Sequence, residues 1–217
     1  MERLANFVKN NLNLTKSELY RLNEQNLILV NGLPCSLQYH LKENDIVTVN
    51  GNVLNSLEKH YFLYNKPIGV ICSNSKNNPN NIANILNFPF RVYTVGRLDK
   101  DSHGLIILTN DGSFCHDILE NESIEKEYIV KLEKEIDELF LNKMQESIII
   151  KGKSTIPAKV KVIDNYTINV NLKDGKYHQI RELVKRANNK VTDLYRIRIG
   201  NYNIGNLEKG KIIELTL

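Results

Sequence analysis

One feature constrains the fold of this chain more than any other: from residue 61 onward, β-strand patterns outnumber helical ones. Helical periodicity there is confined to about 113–120, 135–147 and 177–188. Short segments rich in β-branched and aromatic residues predict strands over 61–64, 105–108, 128–132, 148–150, 158–163, 166–172, 191–199 and 212–215. Because scattered helices interrupt a long series of strands, we predict an α+β domain with a mixed, mainly antiparallel sheet and flanking helices.

The first fifty residues follow a different pattern. Helically spaced apolar residues predict a helix over 3–12, and the capping-box pattern Thr15–Glu18 starts a second helix. Residues 27–30 and the turn Asn31-Gly32 then predict a hairpin, with a returning strand over 46–49.

We therefore divide the chain into a helix–helix–hairpin module over 1–50, a polar linker over 51–60 and a second domain over 61–217. A unit as small as the module buries little surface and is typical of a binding module. The alternative is a unit that mediates protein contacts.

Composition excludes several classes of protein. The cysteines, Cys35, Cys72 and Cys115, are about forty residues apart, so no close pair is available for zinc or thiol exchange, and we expect a reducing cytoplasm. No apolar run is long enough to span a bilayer, so we expect neither a membrane protein nor an exported one. The net charge of +4 lies in 174–217. Such an excess suits a nucleic-acid-binding face, but it is also typical of an ordinary solvated surface.

The densest polar motif runs from Val95 to Gly112. It places Asp99, Asp101 and Ser102 in a loop that precedes an apolar strand. Loops held at the end of a strand often carry catalytic groups. The same residue types commonly accept backbone hydrogen bonds in turns, and the pattern alone favours that plainer interpretation.

Gly96-Arg97-Leu98-Asp99, followed by KDSHGLIILTNDG, resembles the signature of the pseudouridine synthases that modify ribosomal RNA and carry an amino-terminal S4 domain. Segments 60–73, 125–132, 174–184 and 194–200 agree with this family in order and spacing, and the module over 1–50 resembles its S4 RNA-binding domain. The short chain and the stretch 157–164 are most similar to the small-subunit (16S) ribosomal RNA uridine synthase A group.

The resemblance implies that a specific uridine in 16S ribosomal RNA is flipped out and isomerised to pseudouridine. It implies no cofactor and no metal, because the reaction adds and removes no atoms. It also implies a cytoplasmic monomer whose partner is ribosomal RNA, either naked or in an early ribonucleoprotein. The alternatives are action on 23S ribosomal RNA, a tRNA-modifying relative, and a non-catalytic RNA-binding ribosome-assembly protein with the same fold.

The catalytic roles also follow from the resemblance. Asp99 matches the family's essential aspartate, and Arg181 is placed against it, since a guanidinium can hold a carboxylate through two parallel hydrogen bonds. Tyr128 matches the tyrosine that stacks on the flipped uracil, and its hydroxyl is a candidate to relay the C5 proton. From the residues alone, Arg181 also fits a solvated helix charge and Tyr128 an inward-facing strand residue. Asp174 replaces the glutamate common in the family.

Further side chains are expected to contact the substrate. Leu194 supplies an apolar wall under the base, His178 and Gln179 order their loop, and Arg97 orders the catalytic loop or meets a phosphate. Lys66, after the first strand of the second domain, is expected to meet a phosphate. The basic surface for the RNA backbone is expected to comprise Lys176, Lys185, Arg186, Lys190, Arg196 and Arg198. The RNA face of the module is expected to comprise Arg3, Lys9, Lys16 and Arg21.

Overall fold

A computed structural model of the chain describes residues 2–75, 77–121 and 123–216. Residue 1, in the predicted module, and residues 76, 122 and 217, in the second domain, lie outside the described part. The module consists of α1 (Leu4–Asn11), α2 (Lys16–Glu24), β1 (Ile28–Val30), β2 (Leu33–Pro34), β3 (Val47–Val49) and β4 (Asn52–Val53).

The sequence signals of the module are present in the structure. Thr15 Oγ1 accepts a hydrogen bond from the Glu18 amide, and the Glu18 carboxylate accepts one from the Thr15 amide, which is the predicted capping box. Asn31 and Gly32 join β1 to β2 with φ values of 52° and 80°. Two successive positive φ values are the geometry that favours Asn-Gly in tight hairpins.

The linker begins later in the chain than the expected 51–60. Asn50-Gly51 forms a second turn of the same kind, with φ values of 51° and 79°, and β4 pairs with β3. Leu54 packs against the apolar core of the module. Ordered module structure therefore continues to about residue 54, because an Asn-Gly dipeptide favours a hairpin at 50 for the same reason as at 31.

The second domain is built on a large sheet. Its strand order is β11-β12-β8-β13-β7-β5-β15, with β6 paired to β7 and β14 paired to β13. Its strands are β5 (Tyr61–Lys66), β6 (Tyr93–Val95), β7 (His103–Thr109), β8 (Lys126–Leu132), β11 (Lys159–Asp164), β12 (Thr167–Leu172), β13 (Val191–Ile199), β14 (Tyr202–Asn203) and β15 (Ile212–Leu215). A separate hairpin contains β9 (Ile149–Ile150) and β10 (Lys153–Ser154). The helices are α3 (Ile82–Leu86), α4 (Gly112–Glu120), α5 (Glu138–Met144) and α6 (Gln179–Arg186).

The pairings confirm the predicted mixed, mainly antiparallel α+β fold. The pairs along this sheet are antiparallel except that between β13 and β7, which is parallel. Elements that the sequence analysis did not predict, such as α3, β6, β10 and β14, have two to five residues each. Segments this short show no measurable periodicity.

Strand β7 lies between β13 and β5 in the sheet, and all seven of its residues are buried. Ile106 and Leu108 belong to the apolar cluster on one face of the sheet, whereas Leu105 and Ile107 belong to the cluster on the other. A strand buried on both faces is anchored firmly, so the loop that precedes β7, and contains Asp99, starts from a rigid base.

The parallel contact between β7 and β13 requires a glycine. Gly104 pairs with Arg196 and has a φ of +109°. A Cβ atom at Gly104 would lie only 2.2 Å from the Arg196 carbonyl oxygen. The two backbones can therefore approach this closely only because residue 104 has no side chain.

The module docks on the second domain through α1. The Arg91 amide donates to the Asn10 carbonyl at 2.9 Å, and the Tyr93 hydroxyl donates to the Asn10 side chain at 2.9 Å. Partial burial, and then the charge of Arg91, lower the pKa of Lys9. Lys9 adjoins Asn10 in α1 and is partly buried, whereas Lys16 and Arg21 are exposed on α2.

Candidate active site

A cleft of about 670 Å³ opens where the loop before β7, strands β8 and β13, and the start of α6 meet. Asp99, Tyr128 and Arg181 all line it, although they are far apart in the sequence. Its volume lies within the range of pockets that bind small molecules and cofactors. The fold therefore brings the three expected catalytic residues into one cavity.

Asp99 faces two side chains from the start of α6. His178 Nε2 lies 3.2 Å from Asp99 Oδ1, and Arg181 Nε lies 3.8 Å from Asp99 Oδ2. The Nη2 atom of Arg181 instead contacts Asp101 at 3.0 Å and donates to Ser102 Oγ at 3.1 Å. The expected pair of parallel hydrogen bonds to Asp99 is therefore absent from this structure. Asp101 and Ser102 hold the guanidinium so that its Nε faces Asp99.

A buried polar network positions the loop before α6. The Gln179 side chain donates to Asp174 Oδ1 at 2.7 Å and accepts from the Lys176 amide at 2.9 Å. Asp174 also accepts from the Ile156 amide at 3.0 Å. His178 follows with a left-handed backbone, φ 52°, immediately before the helix begins. These bonds fix the position of the loop and of the start of α6, and so the directions of the His178 and Arg181 side chains.

Strands β8 and β13 form the floor of the cleft. Tyr128 pairs with Arg196, and Leu194 lies two residues before Arg196 on the same face. Tyr128 is 8% exposed and Arg196 is 3% exposed. The expectation that Arg196 belongs to the basic surface is therefore wrong, because strand alternation directs it inward with Leu194. Its Nε donates to the Leu105 carbonyl at 2.8 Å.

Lys66 also departs from the expectation that it contacts an RNA phosphate. Its side chain is fully buried, and its Nζ donates to the carbonyls of Pro67 and Val70 at 3.1 and 2.8 Å. Burial lowers the pKa of Lys66. The ammonium group stabilises the turn after β5, and that turn holds the catalytic loop because the Gly69 amide donates to the Lys100 carbonyl at 2.7 Å.

Lys126 is a cleft residue that the sequence analysis missed. It is 8% exposed, lies two residues before Tyr128 on the same face of β8, and donates to the Lys173 carbonyl at 3.4 Å. Burial, and then the charge of Arg196, lower the pKa of Lys126. Strand alternation could have identified it, since Tyr128 was already placed facing inward.

The mouth of the cleft carries a second group of unpredicted contacts. Lys151, in the turn between β9 and β10, lies 4.0 Å above the Tyr177 ring, and that ring stacks on His178 at 3.9 Å between centroids. Arg97 and Lys176 also line the cleft. No sequence pattern indicates that the β9–β10 turn reaches this mouth.

Other expected RNA-binding residues lie outside the cleft lining. Lys185 and Arg186 are exposed in the last turn of α6. Lys190 pairs with Glu133 at 2.9 Å, and Arg198 pairs with Glu127 at 2.5 Å. Arg3 is exposed immediately before α1. Of the expected RNA-binding cations, Arg97, Lys176 and Arg196 therefore line the cleft, whereas the others just named do not.

The charge of the cleft is strongly positive. Of the ionisable side chains that line it, Asp99 is the one carboxylate within the described part of the chain, and the cations are Arg97, Lys126, Lys151, Lys176, Arg181 and Arg196. A concave surface with this charge attracts polyanions. In residues 2–75, 77–121 and 123–216, no group of three or more His, Cys, Asp or Glu side chains is arranged to hold a metal ion. None of the helices in these residues has the length and apolar character needed to cross a bilayer.

Comparison with known proteins identifies the family. The family model described as RNA pseudouridylate synthase matches residues 60–186, which is more than half of the chain. The chain belongs to the RNA pseudouridylate synthase family. It is therefore an RNA pseudouridine synthase, an isomerase, and the matched region contains Asp99, Tyr128 and Arg181 of the cleft.

Relatives match over the full length of this pseudouridine synthase. The ribosomal small subunit pseudouridine synthase A of Haemophilus influenzae is 32% identical, over 99% of this chain and 96% of its own. The dual-specificity RNA pseudouridine synthase RluF of Escherichia coli K12 is 32% identical, over 99% of this chain and 75% of its own. A crystal structure of a pseudouridylate synthase superimposes with a TM-score of 0.69 and 31% identity, covering 100% of this chain and 96% of the other.

Proposed function

We propose that this enzyme converts a specific uridine of 16S ribosomal RNA into pseudouridine, with Asp99 as the essential carboxylate. The observation that carries the proposal is the convergence of Asp99, Arg181 and Tyr128 in one cationic cleft. The choice of 16S RNA is supported by the full-length similarity to an enzyme named for the ribosomal small subunit.

In this reaction the N1–C1′ bond breaks, the uracil turns, and a C5–C1′ bond forms. C5 then loses its proton. Asp99 acts either by attacking C1′ or by removing the C2′ proton. Tyr128 and Leu194 enclose the uracil, and the Tyr128 hydroxyl relays the C5 proton. No group from outside the protein and RNA enters the balance, so we propose a reaction without a cofactor.

The RNA backbone binds at the mouth of the cleft. Arg97, Lys151 and Lys176 supply the charge there, and the exposed Tyr177 ring offers a stacking surface. The module, which continues to about residue 54, is proposed as an S4-type RNA-binding unit, with 61–217 as the catalytic domain. We infer a monomer that acts in the cytoplasm on naked RNA or on an early ribonucleoprotein.

A direct test is incubation of the purified protein with unmodified 16S RNA fragments, with and without early-binding ribosomal proteins, followed by mapping of pseudouridine. We expect conversion at one uridine of 16S RNA and none in an equal amount of 23S RNA. Conversion confined to 23S RNA or to tRNA would overturn the choice of substrate. Binding without conversion of any of these RNAs would indicate a non-catalytic assembly protein.

The charge at the mouth leads to a prediction about salt dependence. Replacing Lys151 and Lys176 by Gln should weaken RNA binding and reduce the slope of log K against log salt by about one to two units, because each lysine neutralises about one phosphate. The matched control replaces Lys131 and Lys161, which are exposed on β8 and β11 outside the cleft lining. Filter binding at several salt concentrations measures both slopes. Equal effects of the two double variants would contradict the proposed RNA path.

A further inference from the structure

Two buried cations on the floor of the cleft form no ion pair among the described residues. Lys126 and Arg196 are 8% and 3% exposed, and neither makes an ion pair with any described residue. Asp174 is close enough to raise the pKa of Lys126, but both of its carboxylate oxygens accept other hydrogen bonds. The contact from Lys126 to the Lys173 carbonyl is long, at 3.4 Å, and Arg196 Nη2 has no hydrogen-bond partner in the described structure. Burying an uncompensated charge is unfavourable, so such a pair requires a reason beyond the stability of the fold.

The position of these cations relative to Tyr128 identifies which part of a nucleotide they would meet. Arg196 Nη1 lies 3.5 Å from the Tyr128 hydroxyl, and the Arg196 Cζ atom lies 5.9 Å from the centre of the Tyr128 ring. A flipped nucleotide enters a pocket base first, while its phosphates stay near the mouth. The buried cations therefore face the base, and the exposed Lys151 and Lys176 face the backbone.

The chemistry that follows rests on the proposed function. When the N1–C1′ bond breaks, its electron pair leaves with the uracil, and the negative charge spreads over N1 and the O2 and O4 oxygens. Asp99 compensates for the electron pair lost at C1′ in one of two ways. Asp99 forms a bond to C1′, or Asp99 takes the C2′ proton and the electron pair of that C–H bond moves towards C1′. In both routes, an anionic uracil must exist inside the cleft until the C5–C1′ bond forms.

We propose that Lys126 and Arg196 form a cationic floor that stabilises the uracil anion after the glycosidic bond breaks. Positive charges that are already in place where negative charge develops lower the barrier strongly, because the site excludes water and the charges need not reorganise. The missing ion pairs are then part of the function, since a carboxylate in direct contact would cancel the charge that the departing base requires.

The first test compares Lys126→Gln with Lys131→Gln, a control on the exposed face of the same strand. Under single-turnover conditions, we expect Lys126→Gln to slow pseudouridine formation by about 100-fold, as for loss of one preorganised donor. We expect RNA affinity to stay within about twofold, because the floor does not meet the backbone. Lys126→Arg keeps the charge and should recover most of the rate, which separates loss of charge from misfolding.

The second test uses RNA with 5-fluorouridine at the target position and follows cleavage of its N1–C1′ bond by nucleoside mass spectrometry. Fluorine withdraws electrons and stabilises the departing uracil anion, so it partly replaces the electrostatic interaction that Lys126→Gln removes. The ratio of the wild-type cleavage rate to the Lys126→Gln rate should therefore be smaller by about tenfold or more on the fluorinated RNA. An equal defect on both RNAs would overturn the proposal. The proposal would also be overturned if Lys126→Gln weakened RNA binding but left the single-turnover rate of the bound RNA unchanged.

The failure of this inference is distinguishable from failure of the proposed function. If wild-type protein forms no pseudouridine in ribosomal RNA, the proposed function is wrong before any variant is compared. If wild-type protein is active and Lys126→Gln matches Lys131→Gln, only the cationic floor is wrong.

Discussion

Replacing Asp99 with Asn should lower the rate of pseudouridine formation by about 10⁴-fold, because an amide of the same shape can neither attack C1′ nor accept a proton there. The fold should survive, since the Asp99 side chain is partly exposed at the cleft surface and its ion pairs within the described residues are with His178 and Arg181. RNA affinity should be unchanged or slightly higher, because one negative charge is removed from a cleft that receives phosphates. Single-turnover assays and filter binding on the same RNA measure both effects.

The neighbouring carboxylate supplies the matched control. Asp101→Asn removes the ion pair to Arg181 Nη2 but leaves the bond from Arg181 to Ser102. The Arg181 side chain should therefore stay near Asp99, and the rate should fall by less than about tenfold. If Asp99→Asn kept more than a tenth of the activity, or if Asp101→Asn were the more damaging change, Asp99 would not be the essential carboxylate.

Gly104→Ala should destabilise the catalytic domain by about 4 kcal/mol, a loss large enough to rank among severe point mutations. The new Cβ would lie 2.2 Å from the Arg196 carbonyl oxygen, so β7 and β13 would have to separate. Any folded protein that remains should also be poorly active, because Arg196 and Leu194 would shift in the floor of the cleft. Chemical denaturation monitored by circular dichroism measures the change in unfolding free energy.

Gly69→Ala separates the effect of crowding from that of backbone conformation. Gly69 has a similar φ of +93° in the same domain, but nothing lies within 4 Å of a Cβ placed there. Its replacement should therefore cause only the strain of a left-handed residue, about 1–2 kcal/mol. Equal destabilisation by the two variants would show that the close approach of β7 and β13 is unimportant.

Local sequence patterns were sufficient to predict most of the longer elements. The segment 191–199 was predicted from its β-branched and aromatic residues and is β13, and the capping box at Thr15 begins α2 as expected. The order of strands in the sheet could not be predicted in this way. Nothing in 191–199 itself indicates that it inserts between β8 and β7, because pairing partners are selected by packing across the whole domain.

The site shows the same division between local and non-local information. Asp99, Tyr128 and Arg181 were placed together by resemblance, and the structure brings them into one cleft. Lys66 and Arg196 were assigned to the surface because their type is usually exposed, yet strand direction and register place both side chains inside. A charge on a strand can be located only once the face of that strand is known.

The pairing of β7 with β13 also bears on how the enzyme folds. His103 and Tyr195 are neighbours in the sheet although about ninety residues separate them, so this contact closes a very long loop. Long-range pairing is slow, because chain entropy is lost before favourable contacts repay it. Asp99, in the loop before β7, therefore cannot face Leu194 and Arg196 until this late step is complete. Partly folded chains should therefore be inactive, and activity during refolding should appear at the rate at which β7 pairs with β13.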